Sequence, residues 1–471
     1  MKKLFSLVLC LFGIIGLASC DNGPQKLATP TNFVINNDVA SWDAVENASK
    51  YRLNIVDESA KEFKRVVDGK TTADMTSFDL AVGVYNVYIQ AVADKNGAYQ
   101  DSDYTTEAVV YEVKEEEIVE VKSISGTDLI EGDYVKWQGR TSYNATLEVN
   151  MIYHSASSFE VKFQGSKVQF ELYATKFNDT SHKPYIVVMV DDNYETRLRL
   201  VVNEKFKVFD TLDLGFTGLD DGNTHTLTVY KSTESIDSHL GLKSVTTDGT
   251  FVPGIEYKDR HIEFIAASSS TGHGNLGSPT VSKSTDNSDC MQAFSYLTAR
   301  ALNSEISIYS ASGWGVKFSR WTNPNTLNLF DAYKKVDFFS DEMWNVSNII
   351  PDVIVINLGT NDWSYINNAT DAAERDNRME QFKNQYVDFL NYLHNAYPDC
   401  KIIIFYGLMN EGQAIYDATV EIYNRALPTI PGLAKIQVSG DGQGSAGHPS
   451  VKSHKDVAQL LIAKIKQEMG W

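Results

Sequence analysis

The chain has 471 residues, 43% hydrophobic and 22% charged, enough apolar material for several packed domains. Its formal net charge of −19 argues against nucleic acid or anionic lipid as a partner, because like charges repel. The four cysteines show no metal-ligand spacing, so no metal is assigned.

Lys2 and Lys3 open the chain, and an apolar run from Leu4 to Ala18 follows. The run is too short to span a bilayer comfortably. It ends in Leu17-Ala18-Ser19-Cys20, which resembles the bacterial lipobox, where cleavage precedes a cysteine that carries lipid. Residues 1–19 are therefore read as a lipoprotein signal peptide and Cys20 as the lipidation site. Residues 20–30, small and polar with Pro24 and Pro30, read as a tether. The expected location is extracytoplasmic, with the membrane met by a lipid anchor only. Cys10 leaves with the signal. Cys290 and Cys400 remain, and the sequence leaves their pairing open.

Residues 31–114 carry short alternating runs between turn signals, including Tyr51, Leu53 and Ile55 on one face. An early Trp42, this strand, and Leu80 five residues before Tyr85 resemble a fibronectin type III sandwich, with Leu80 and Tyr85 forming its tyrosine corner. Glu115-Glu116-Glu117 reads as a solvated linker. Residues 120–257 are again strand-rich, with runs at 159–163, 168–172, 185–190 and 226–230, and fit a jelly-roll sandwich. That sandwich is either an independent carbohydrate-binding module or a domain packed beside the next one.

From Arg260 the texture changes. Compact apolar strands at 262–265, 306–309, 353–356 and 402–405 alternate with helical patterns. Phe382, Tyr386, Phe389, Leu390 and Leu393 recur at helical spacing, as do Val457, Leu460, Leu461 and Ile465. Residues 260–471 therefore form one α/β domain with a mostly parallel sheet covered on both faces. The expected fold is multidomain, two all-β sandwiches followed by this α/β domain.

Ligands of open α/β sheets bind at the carboxyl ends of the strands. Ala266-Ala267-Ser268 follows the first strand, Ser312-Gly313-Trp314 the second, and Gly359-Thr360-Asn361-Asp362 the third. Gly447-His448-Pro449 precedes the last helix. Cleaving an ester needs a nucleophile, a base and donors for the oxyanion. Ser268 and His448 suit the first two roles. The backbone N–H groups of Ser268 and Gly313 and the side-chain amide of Asn361 suit the third. Trp314 and Trp363 flank these donors; core packing is the default reading for each and a sugar-stacking, substrate-binding wall the alternative, and on the same logic Met409 is a possible lining of the acyl pocket. No role is assigned to His273.

These four blocks, in this order, resemble the SGNH hydrolases. With a jelly roll directly before them they look like carbohydrate esterase family 2. The resemblance covers residues 120–471 and implies a serine esterase without cofactor that removes acetyl groups from polysaccharides of the xylan or glucomannan type. Two departures stand out. The family's Gly-Asp-Ser is Ala266-Ala267-Ser268 here, and the Asp often found three residues before the histidine is Ser445. A backbone carbonyl is then expected to orient His448, with Asp441 as a substitute. The departures also motivate an alternative, a non-catalytic glycan-binding lipoprotein on a decayed esterase scaffold.

Overall fold

The computed structural model describes residues 24–471 apart from position 96 and the segments 115–119 and 321–327. The signal segment with Cys20 and the Glu115–Glu117 run lie outside the described residues. Backbone contacts divide the chain into two units, Met1–Val119 and Glu120–Trp471.

The first unit has a four-stranded antiparallel sheet in the order Glu62–Asp68, Lys50–Asp57, Gly83–Val92, Val109–Val113. A three-stranded sheet of Val34–Asn36, Val39–Ser41 and Thr72–Asp74 accompanies it. Alternation works as the pattern requires: Tyr51, Leu53 and Ile55 are buried with Trp42, whose ring lies 5.2 Å from that of Tyr51. The Tyr85 hydroxyl donates to the Ala81 carbonyl at 2.6 Å, pinning the turn before its own strand.

The second unit begins with two six-stranded sheets. Their inner faces meet through Phe159, Phe163, Phe170, Leu172, Val188 and Leu227. The strand Tyr185–Val190 is buried along nearly its whole length, and the reason is visible in its period. Ile186, Val188 and Val190 point into the sandwich, whereas Val187 and Met189 join the core of the following α/β domain.

That domain has five parallel strands: β1 (His261–Ala266), β2 (Glu305–Ser310), β3 (Val353–Asn357), β4 (Lys401–Tyr406) and β5 (Ala434–Gln437), in the order β2-β1-β3-β4-β5. Helices α1 (Phe294–Ala301) and α4 (Val451–Met469) cover one face, and α2 (Ala372–Ala396) and α3 (Gln413–Ala426) the other. Coverage on both sides is why β1 to β4 read as apolar runs, broken inside only by Glu263 in β1 and Ser307 in β2. β5 has no such run, because Lys435 and Gln437 interrupt it. Leu460, expected on the buried stripe of α4, is 53% exposed. Among the described residues no helix is long and apolar enough to cross a membrane.

The sandwich is a domain packed beside the α/β domain. Arg140, fully buried, donates to the carbonyls of Tyr333 and Lys335, lies 3.5 Å from Glu263 and stacks on Tyr309 and Tyr333. Lys136 pairs with Glu305 at 2.7 Å, and Gln138 donates to Ile306. Cys290 and Cys400 are both free thiols, and burial pushes Cys290 up to about 12, far from a reactive thiolate.

Candidate active site

The strand order reverses between β1 and β3, and there the loops leaving the carboxyl ends diverge and open a crevice. Ser268 follows β1, Gly313 follows β2 and Asn361 follows β3, so three of the expected residues are delivered to this rim by topology alone.

Ser268 opens a single 3₁₀ turn, Ser268–Thr271. The start of such a turn has no carbonyl behind it, so the Ser268 N–H has no acceptor within the turn. The next two serines are committed elsewhere. Ser269 donates to Asn357 at 3.0 Å, and Ser270 is fully buried against Ser310 at 2.6 Å. Ser268 is the partly exposed serine of the three.

Nε2 of His448 lies 2.9 Å from Oγ of Ser268, within hydrogen-bond reach across 180 residues of sequence. Nδ1 lies 3.0 Å from the Ser445 carbonyl. A carbonyl only accepts, so Nδ1 carries the proton and Nε2 offers its lone pair to the serine. Asp441 is not the orienting group, because its carboxylate takes the N–H and hydroxyl of Ser450. The histidine loop is fixed against the nucleophile loop by the Ser445 N–H, which donates to the Gly274 carbonyl at 2.8 Å. A Cβ on Gly274 would sit 2.6 Å from Cβ of Ser445, and its φ is +66°, so this approach requires glycine. Burial, chiefly, drives the His448 imidazole down to about 4, and the neighbouring His273 ring pushes the same way.

Gly313 has φ +81°, in the left-handed region. Next to it, the Trp314 carbonyl accepts one N–H of the Asn361 amide at 2.8 Å. An amide nitrogen has two protons, so one remains for an oxyanion. Asp362, which the sequence reading left without a role, is fully buried and accepts the N–H groups of Val316, Lys317 and Phe318 at 2.8–3.0 Å. It holds the loop beyond Gly313 in shape, and burial raises its carboxyl to about 6. Trp314 is 7% exposed and packs on Phe338 at 5.3 Å. It is core rather than a sugar-stacking wall, since a buried ring has no free face. Trp363 and Met409 are partly exposed. Among the described residues no cluster of His, Cys, Asp and Glu could hold a metal ion.

A parallel sheet with these serine, glycine, asparagine and histidine residues at one rim resembles the arrangement of the SGNH-type hydrolases. The model of the carbohydrate esterase 2 N-terminal domain matches residues 137–253. The chain is 29% identical over 267 residues to the cellulase/esterase CelE of Acetivibrio thermocellus, covering 54% of this chain and 31% of that protein's length. It is 27% identical over 310 residues to an acetylxylan esterase/glucomannan deacetylase of Cellvibrio japonicus, covering 62% and 84%. A family two carbohydrate esterase from Clostridium thermocellum, solved in complex with cellohexaose, superposes with a TM-score of 0.62 at 24% identity, over 72% of this chain and 99% of that one. The chain thus shares the fold of the family two carbohydrate esterases, and its sequence is similar to theirs.

Proposed function

We propose that the protein is a carbohydrate O-acetyl esterase that deacetylates a polysaccharide of the xylan or glucomannan type. The observation that carries this reading is the Ser268–His448 contact, with the second imidazole nitrogen held by the Ser445 carbonyl. Ser268 Oγ attacks the acetyl carbonyl while its proton passes to His448 Nε2. The carbonyl oxygen becomes an oxyanion, met by the N–H groups of Ser268 and Gly313 and the amide of Asn361. Collapse breaks the ester C–O bond, and the imidazolium returns the proton to the departing sugar hydroxyl. Water, deprotonated by His448, then releases acetate from the acetyl-serine. The related esterases named above support a glycan acetyl ester as substrate.

On the same reading, Cys20 anchors the enzyme by lipid outside the cytoplasm. The jelly roll belongs to the catalytic unit, and the fibronectin type III-like unit is a spacer. Acetate release from acetylated xylan and glucomannan by the wild type and by Ser268→Ala tests the proposal. A wild-type rate at least ~10³ above the variant's is expected, the scale of losing a nucleophile. Equal rates would leave the glycan-binding alternative in its place.

A further inference from the structure

The loop joining sandwich strands His225–Lys231 and Leu240–Thr247 reaches into the rim and carries Glu234, which is 3% exposed. Its carboxylate gathers groups from both catalytic loops. From the loop after β2, Ser312 donates its N–H at 2.9 Å and its hydroxyl at 2.6 Å. From the nucleophile loop come the Thr271 hydroxyl and Nδ1 of His273, each at 3.1 Å. Thr271 Oγ1 also lies 2.7 Å from the Ser268 carbonyl, and Ser312 immediately precedes Gly313. The His273 ring in turn sits 4.4 Å from the His448 ring. Ser312 spends its proton on the carboxylate, so both neighbours of His273 Nδ1 are acceptors and that nitrogen is the protonated one.

This carboxylate is built in rather than incidental. Burial alone would raise its pKa, but the His273 hydrogen bond, the Lys283 charge and the Ser312 hydroxyl more than offset that and hold it below the ordinary value. Lys283 pairs with Asp237 at 2.9 Å on the same loop. The Lys231 ammonium, completely enclosed, donates to the carbonyls of Thr233 and Glu234. The Ala266-Ala267 pair brings no polar side chain to the nucleophile turn, and Glu234 supplies a tie from a different domain.

We infer that Glu234 is a positioning residue of the esterase reaction: one sandwich carboxylate fixes the nucleophile turn, the loop bearing Gly313, and the His273 ring against the base. The inference rests on the esterase reading. Its test uses Glu234→Gln, Ser312→Ala, the double variant and a Ser268→Ala control on the full chain, with nitrophenyl acetate as substrate. Active sites are counted by a fluorophosphonate that labels serine, so kcat refers to folded, labelled sites. Glutamine keeps one acceptor but turns an NH₂ toward donors. Per-site kcat should fall by about 30-fold or more with KM within about threefold, the pattern of lost preorganisation. Ser312→Ala should lower kcat about fivefold, and the double variant should be little worse than Glu234→Gln, since the two act through one contact. Should Glu234→Gln fail to fold, Ser312→Ala carries the test alone. Per-site kcat of Glu234→Gln within about threefold of wild type, multiplied effects in the double variant, or no kcat loss in Ser312→Ala would overturn the inference. A wild type without turnover that depends on Ser268 would instead overturn the esterase reading, and this inference with it.

Discussion

Acidifying the protein should leave His448 neutral long after an ordinary histidine has charged. The ring is buried beside the Ser445 carbonyl, with His273 and, farther off, Glu234, Lys283 and His454 around it, and burial sets its pKa at about 4. At pH 5.5 a group titrating there is about 97% neutral, whereas one at the usual 6.5 is about 9% neutral. The base is therefore available through the mildly acidic range. The direct assay is the pH dependence of the His448 Cε1 resonance in protein carrying ¹³C-histidine, identified by its loss in His448→Ala. The profile of kcat/KM accompanies it, but Asp362, raised by burial to about 6, adds a partial step of its own there. The resonance, not the rate, therefore decides. The fold limits the range. His154 and His261, both pushed down to about 4 by burial, and His454, pushed to about 3, bind protons in the unfolded chain first. Stability is then lost as pH falls from 6.5 toward 4, by about 1.4 kcal/mol per unit for each such group, and circular dichroism marks where folding ends. A His448 midpoint near 6.5 in folded protein would refute the reasoning.

Two further outcomes follow from groups described above. Arg140→Ala leaves Glu263 buried without its cation and should cost about 3–5 kcal/mol, read as a fall in Tm of about 4–7 °C for the unit of residues 120–471; an unchanged Tm would mean the ion pair does not join the two domains. Asp362→Ala strands three loop N–H groups at about 1–3 kcal/mol each, so the loop should rearrange and kcat should drop by about 10- to 100-fold in protein that still folds.

How far the sequence could be read depended on where each residue's partners lie. The parallel strands were legible because burial on both faces demands dense apolar runs, a demand that β3 and β4 met without a break and β1 and β2 met with one polar residue inside each, Glu263 and Ser307. The edge strand β5 did not, since Lys435 and Gln437 break its pattern. Ser268, Gly313 and Asn361 were legible because strand ends are where chemistry collects, and each follows a strand within a few residues; His448 stands just ahead of the last helix. Glu234 was not. It lies in a polar stretch of the preceding sandwich, and no periodicity or strand-end rule links position 234 to a rim built by residues 268–448. Its one signal was the unassigned His273, a second imidazole close to the nucleophile with no stated partner. For Trp314 the default held over the alternative: nearness in sequence to an oxyanion donor says nothing about which way a large ring turns, and here it turns inward onto Phe338.

The strand Tyr185–Val190 belongs to two hydrophobic interiors at once, alternate side chains feeding each. Neither half can be inherited, swapped or excised as a cassette: a gene fragment beginning at residue 260 would encode a sheet stripped of part of its own interior and of the glutamate from the next lobe. Drift at Val187 or Met189 must be answered across the seam by residues from Ile262 onward in the same core. The pair is thus bound to evolve as one body, whatever extra units are spliced on ahead of it.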